Sequence, residues 1–396
     1  MHRIPVDEYV AIVANHLRDA LAPRTETVAL GKALGRVTVA QVLSPVDLPL
    51  FRNSQMDGFA VRARDVASPP VTLPIAGIIA AGAAEPTSLP AGAAMQIMTG
   101  AVIPEGSDAV VPVEDTTSTG ATVTVLKSRA QGEFVREAGS DARIGDTLLP
   151  AGLTLAPRHL AVLAAAGIAS VDVRALPRIA VVTTGAELIA PGVEPLLGQL
   201  FDANGVALAA LVESSGAVVS ALVRNDDDVV ASLDLALREA AVDTDLILTS
   251  GGISMGEFEV VRELLEPLGA TVGTIAMQPG GPQLLGAFHG IPVIGFPGNP
   301  VSTQISFEVL VAPLLRAAAG RAPAEKRHHT VETAIDSVPG KRQFLRGRIT
   351  DGNAVSIVSG PGSHLVAGLA ASDVLIDIPA ETTRVEAGDT VETWTL

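Results

Sequence analysis

Two glycine-bearing turns carry the residues best suited to chemistry. The first, Ser250-Gly251-Gly252-Ile253-Ser254-Met255-Gly256-Glu257, follows an apolar run and opens a helical one. Consecutive glycines let a backbone turn its N–H groups towards an anion, and a helix start adds positive partial charge. The same residues have an ordinary structural use. Ser254 and Glu257 have the spacing of a capping box, and Gly-Gly can simply make the turn, so both readings stay open. The second turn, Gly295-Phe296-Pro297-Gly298-Asn299-Pro300-Val301-Ser302, repeats the design. Asn299 suits a helix N-cap, Pro300 the first helical position, and Ser302 falls in the first turn. Both turns are expected on the carboxyl edge of one sheet, where α/β proteins bind ligands.

Acids are placed to work beside them. Glu187, in Thr183-Thr184-Gly185-Ala186-Glu187-Leu188, ends the first strand of that sheet and would face the same crevice. Asp226, Asp227 and Asp228 sit just before a helix, where acids usually serve as N-caps and dipole partners. Asp57 begins an Asp-Gly turn, and Thr99 and Asp141 are unremarkable in isolation. A histidine metal site is not expected, because no pair has the i, i+4 spacing of a zinc helix. A Mg²⁺ held by one or two carboxylates and a substrate phosphate remains open. One loop of the right kind, Ala276-Met277-Gln278-Pro279-Gly280-Gly281-Pro282-Gln283, carries no charge at all.

The elements that must position these residues follow from periodicity. Residues 1–44 read as helical, with Tyr9, Ile12, Val13, His16 and Leu17 near helical spacing. From Ser44 to about Val135, short β-rich pieces alternate with Pro and Gly, which predicts a small β domain. Residues 157–169 read as a helix with Pro157 in its first turn. From Arg178 strand and helix alternate, closing with one long helix over 299–320, which predicts a mostly parallel sheet covered on both faces. Residues 320–330 read as a basic, Pro-containing linker, and the short strands beyond predict a small β-barrel or sandwich.

Composition narrows the function. Aromatics are only 3%, so cores are built from Ala, Val, Leu and Ile. The formal charge of −16 argues against nucleic acid, which needs a basic face, and leaves any anionic substrate to local donors. There is no cysteine, which excludes disulfides and thiol catalysis. The first residues include acids where a signal peptide needs an apolar core, and no apolar run reaches the length of a membrane span. A cytoplasmic protein, not membrane-embedded, is the expectation.

In order along the chain, "SQMDGFA", "MTGAVIPEGSDAVVPVE", "VREAGSDARIGD", "TTGAEL", "GQLFDANGVALAALVESSGA", "ILTSGGISMGE", "IGFPGNPVSTQISFE" and "GSHL" closely resemble the molybdopterin molybdenumtransferase family, MoeA in bacteria and the gephyrin E domain in animals. The resemblance implies a homodimer whose chains each have several domains. Residues 1–45 and 140–175 would form one extended dimerising domain, interrupted by a small β-rich domain at 46–139. An α/β molybdopterin-binding domain would span 176–327 and a β-barrel 328–396. It implies insertion of molybdenum from molybdate into adenylylated molybdopterin, with release of AMP and assistance from Mg²⁺. Asp57, Thr99, Asp141, Glu187 and Asp226 match the catalytic set, with Glu187 and Asp226 on the metal. Ser250, Gly251, Gly252, Ser254 and Ser302, with Lys341 and Arg346, match substrate-binding positions. The resemblance also implies a cleft completed across the dimer.

The chain departs from the family at its cations. The family reads Lys-Pro-Gly-Lys-Pro where this chain has Gln278 to Pro282, so Gln278 and Gly281 replace lysines that contact molybdate and phosphate. Ala367-Gly368 replaces Ser-Ser, Glu259 an Asp, Lys341 an Arg, and Gln343 a Glu. Losing a charged partner of a bound anion typically costs about 1.5–3 kcal/mol. Two expectations follow. One is a working insertase with a rearranged oxyanion site using Lys341, Arg342 or Arg346. The other is a gephyrin-like scaffold that grips the peptide tail of a membrane receptor or a tubulin-like division protein.

Overall fold

The computed structural model describes residues 3–82, 88–254 and 259–396. Met255, Gly256 and Glu257, and with them the expected capping box, lie outside the described residues. The chain divides into two compact units, one of Met1–Glu26 with Arg174–Leu396 and one of Thr27–Val173.

In the first unit, helix α1 (Val6–His16) buries Val6, Tyr9 and Val13 at helical spacing. With Leu17 they share a core with Ile179, Phe296 and Phe307. The first unit thus takes in α1, whose apolar face packs into the core of the α/β sheet. Helix also stops far short of residue 44: a strand runs over Thr25–Ala29, where alternating threonines favour extended chain.

The α/β unit is built from β1 (Arg178–Thr184), α2 (Ala203–Ser214), β2 (Val218–Asn225), α3 (Val230–Ala240), β3 (Leu246–Ser250), α4 (Val260–Leu265), β4 (Thr271–Thr274), β5 (Pro282–Phe288) and β6 (Ile291–Phe296). Spatial order is β2-β1-β3-β6-β5-β4. The β2-β1-β3-β6 pairings are parallel and the last two antiparallel, so the sheet is mostly parallel as expected. Side chains alternate between faces with the strand period. Ile179, Val181, Leu246 and Leu248 face α1 and α2, whereas Ala180, Val182 and Ile247 face α3 and α4. Both faces are thereby covered.

The single long helix expected over 299–320 is two, α5 (Pro300–Leu310) and α6 (Ala312–Ala318). Pro313 has no N–H to continue the ladder, and the break falls at Val311. The expected linker ends early, because β7 (Lys326–Val331) already belongs to the final domain. There β7, β8 (Arg342–Thr350), β9 (Ala354–Ile357), β10 (Val374–Ile378) and β11 (Thr390–Thr395) pair around a closed ring, with a short helix α7 (Val366–Ala370) between β9 and β10. Closure leaves no strand edge in the ring.

The second unit centres on a six-stranded sheet in which Gly58–Val61 lies between Ala109–Pro112 and Ala94–Ile97. A separate core gathers Leu149, Leu155, Leu163, Val171 and Val173. Among the described residues no helix is long and apolar enough to cross a membrane.

Candidate active site

Strands β1, β3 and β6 run parallel and deliver Thr184, Ser250 and Phe296 to one edge. The turns that follow touch. Gly251 has φ +94°, and a Cβ there would lie 2.4 Å from the Thr184 carbonyl oxygen, so only glycine fits. A Cβ on Gly298 would lie 3.4 Å from the Gly251 Cα. Asn204 ties the turns together, donating from Nδ2 to Ser250 Oγ at 2.9 Å and to the Gly298 carbonyl at 2.7 Å. Ser250 Oγ also meets Thr303 Oγ1 at 3.1 Å. Asp202 caps α2, accepting from the Gly205 amide at 2.9 Å and from Thr183 Oγ1 at 2.7 Å.

These turns line a pocket of about 1320 Å³. Of the residues singled out in the sequence, Ser250, Gly251, Gly252, Ser254 and Ser302 lie on its wall, and so do Glu187 and Lys341. The donor cradle is narrower than expected. The Gly251 amide donates to the Phe296 carbonyl at 3.1 Å and the Ser254 amide to Glu259 Oε2 at 2.7 Å. The Gly252 and Ile253 amides bond to none of the described residues.

Two expected residues of the first unit, Asp226 and Arg346, lie off this wall. Asp226 is off the wall, 3.7 Å from Arg224 across an exposed pair. Asp227 accepts from the Val229 amide at 3.0 Å, and that bond, with Ser232 and Asn225, holds its carboxyl below the usual range. Asp228 is the acid of the three that reaches the pocket. Arg346 is fully buried. It donates from Nε to Ser359 Oγ at 3.1 Å and from Nη2 to the carbonyls of Gly360 and Gly362. Burial pushes its pKa down. It shapes the loop before Ser363 and His364, which do line the pocket. Asn204 and Arg3 stand on the wall without having been expected there, and Asp228 was expected only as one of three acids at a helix start. The order Asp202-Ala203-Asn204 at a helix start was the available signal for Asn204.

In the second unit Asp57 Oδ1 accepts from the Thr99 amide at 2.6 Å and from Thr99 Oγ1 at 2.9 Å. Both bonds, the backbone one first, hold its carboxyl below the usual range. Asp141 is exposed, and its amide donates to the Leu48 carbonyl at 2.9 Å.

Known proteins resemble the chain along its whole length. Residues 4–167 match the MoeA N-terminal region (domain I and II), 180–317 a probable molybdopterin binding domain, and 330–396 the MoeA C-terminal region (domain IV). Molybdopterin molybdenumtransferase 2 of Mycobacterium tuberculosis is 40% identical over 99% of both chains. The chain belongs to the molybdopterin molybdenumtransferase family. The Haemophilus influenzae molybdopterin molybdenumtransferase is 34% identical over 93% of both chains. The solved structure of a molybdopterin biosynthesis MoeA protein from a Pyrococcus species has a TM-score of 0.76 at 33% identity, covering 100% of this chain and 99% of its own.

The departures from the family pattern now have a geometry. Gln278 Oε1 accepts from Gln343 Nε2 at 2.7 Å. The two positions where the resemblance implies Lys and Glu thus meet as a neutral pair. Gly368 also fits its surroundings: a Cβ there would lie 2.3 Å from Ser359 Oγ, so this hydroxyl fills the space of a side chain at 368. The turn keeps its shape without charge. Ile275 donates to the Gly281 carbonyl at 2.8 Å, and Gln283 Nε2 donates to the Gly280 carbonyl and to Ser306 Oγ, each at 2.8 Å. Of the three cations expected to compensate, only Lys341 faces the pocket. Arg342 is held by Asp377 at 2.7 Å and by Asp7 at 2.8 Å beside a second hollow.

Proposed function

We propose that the chain inserts molybdenum from molybdate into adenylylated molybdopterin with release of AMP, in the cytoplasm. The observation that carries this reading is full-length kinship with molybdopterin molybdenumtransferases, joined to a pocket at the carboxyl ends of β1, β3 and β6. The relatives' names place the chain in molybdenum cofactor biosynthesis as a transferase and do not favour the scaffold reading.

Within the pocket the Gly252 and Ile253 amides and the Ser302 hydroxyl are donors for phosphate oxygens. Glu187, Asp228 and Glu259 form an acidic side. Among the described residues no three metal-binding side chains cluster, so no all-protein cage exists. That donor set fits Mg²⁺, which takes one or two carboxylates and completes its shell with phosphate and water. Glu187 with Asp228 would hold it, in place of the Glu187–Asp226 pair expected from the sequence. When bound, the ion supplies charge neutralisation at the phosphates.

Asp57, Thr99 and Asp141 enter this reading as further catalytic candidates, on family resemblance. A homodimer is proposed on the same ground, as is the division at 45, 139, 175 and 327, with light scattering and limited proteolysis as the checks. The direct test supplies purified protein with adenylylated molybdopterin, Mg²⁺ and molybdate. AMP release above the enzyme-free rate is expected, and its absence overturns the reading.

A further inference from the structure

Arg3 stands on the wall of the same pocket. Backbone bonds put it there. The Ile4 amide donates to the Thr274 carbonyl at 3.3 Å, and the Ile4 carbonyl accepts from the Ala276 amide at 2.7 Å, making a parallel bridge to Ile275. Ile275 in turn donates to the Gly281 carbonyl at 2.8 Å. Three segments therefore run side by side, with Arg3 at one end and the uncharged 278–281 turn at the other. Adjacent strands are about 4.8 Å apart, so Arg3 is about 10 Å from the turn, a gap its long side chain can largely bridge. Ile4 packs on the core, and strand alternation sends Arg3 to the opposite side. The buried Tyr9 and Val13 of α1 anchor the strap.

The wall carries charges of both signs. Glu187, Asp228 and Glu259 supply the acids, and Arg3 and Lys341 the cations. Among the described residues neither Arg3 nor Lys341 is ion-paired, unlike Arg342, which engages Asp7 and Asp377 beside them. Arg3 also borders the second hollow, but on the wall it shares with Lys341 the two cations have no acidic partner among the described residues and are available to an anion from outside the protein. A chain of net charge −16 needs such local cations, since its overall field repels anions.

We infer that Arg3 is an anion-binding residue of this pocket, holding a tetrahedral oxyanion with Lys341 above the Gln278–Gly281 turn. The guanidinium fork matches two oxygens of such an ion. The inference rests on the proposed transferase reading for the identity of the anion. Molybdate and a phosphate of the pterin nucleotide share the required chemistry.

The test is equilibrium binding to the full chain, by calorimetry, of molybdate and separately of adenylylated molybdopterin with Mg²⁺, for wild type, Arg3→Ala and Arg3→Lys. Molybdate is expected to bind Arg3→Ala about tenfold or more weakly, with the pterin nucleotide changed less than about twofold and Arg3→Lys intermediate. In turnover the same variant should raise KM for molybdate and leave kcat near wild type. Weakening of the pterin nucleotide instead assigns the anion to its phosphate and still supports Arg3. Unchanged affinity for both ligands overturns the inference. Arg3-dependent molybdate binding without AMP release would uphold Arg3 and sink the transfer reaction.

Discussion

The two walls of the pocket are built on different terms. At the ends of β1, β3 and β6 the wall is backbone: Gly251 against the Thr184 carbonyl, Gly298 against Gly251, and Asn204 spanning both turns. At the 276–283 turn the shape is held by Gln283 and by pairing of Met277 and Gln278 with β8, while the charges sit on side chains. The first wall rests on glycines and backbone, and the second is where Gln278 and Gly281 stand in place of the lysines the resemblance implies. Backbone donors cannot be exchanged singly without moving the chain. Side-chain charges can be rewritten, provided their partners change too, as at Gln278 and Gln343.

The largest expected effect comes from breaking the backbone wall. Gly251→Ala imposes a left-handed residue and a 2.4 Å contact with a carbonyl oxygen. A loss of about 2–4 kcal/mol in urea unfolding is expected, with AMP release falling at least in proportion. Wild-type stability for this variant would mean the wall is more pliable than its contacts imply.

Next in size is Arg346, whose buried fork holds three acceptors of the 359–362 loop. Arg346→Ala removes the donor to the Ser359 hydroxyl and to the Gly360 and Gly362 carbonyls, at about 0.5–1.5 kcal/mol each. Release of an unpaired buried cation offsets part of that. Lysine lacks the planar fork and is expected to restore little. If Arg346→Ala keeps its melting temperature but loses substrate affinity, then Arg346 touches substrate and the loop-holding role is wrong.

What was legible in the sequence follows the same division. The strand–helix alternation after Arg178 was plain because the central strands β1 and β3 are buried on both faces and read as apolar runs. The antiparallel pair β5–β6 was obscured, since "GGPQLLGAFHGIPVIGF" places Gly and Pro where strands rarely carry them. The glycine turns were legible through glycine itself. Which of three adjacent aspartates reaches the pocket was not, because Asp227 is turned back on the Val229 amide two residues on, a local bond that the run of three acids does not reveal. Arg3 carried no local signal: it joins the site through a backbone bridge to Ile275, far away along the chain.

A sharper test of the side-chain wall rebuilds its lost pair. Gln278→Lys alone sets an ammonium against a neutral amide, and Gln343→Glu alone sets a carboxylate against one. Each single change is expected to be mildly destabilising. The double variant should recover, with a coupling of about 0.5–1.5 kcal/mol in a double-mutant cycle. Gly281→Lys is the control, because a Cβ there meets nothing closer than 3.7 Å and the added cation has no partner to restore. Additive effects at 278 and 343 would show that the two departures are independent.

The smallest effect asks whether backbone outweighs side chain at Asp57 as well. Its carboxyl is held low by the Thr99 amide first and by the Thr99 hydroxyl second. Thr99→Val removes only the hydroxyl, so the Asp57 pKa should move part of the way back towards the ordinary carboxylate value. A depressed folded pKa stabilises the fold above the unfolded value, and that contribution is lost as pH falls through the folded pKa. The valine variant should therefore have less of it to lose and finish losing it at slightly higher pH than wild type. Carboxyl-detected NMR titration of Asp57 reads the shift directly. A full return to the ordinary value would make the hydroxyl, not the amide, the dominant bond.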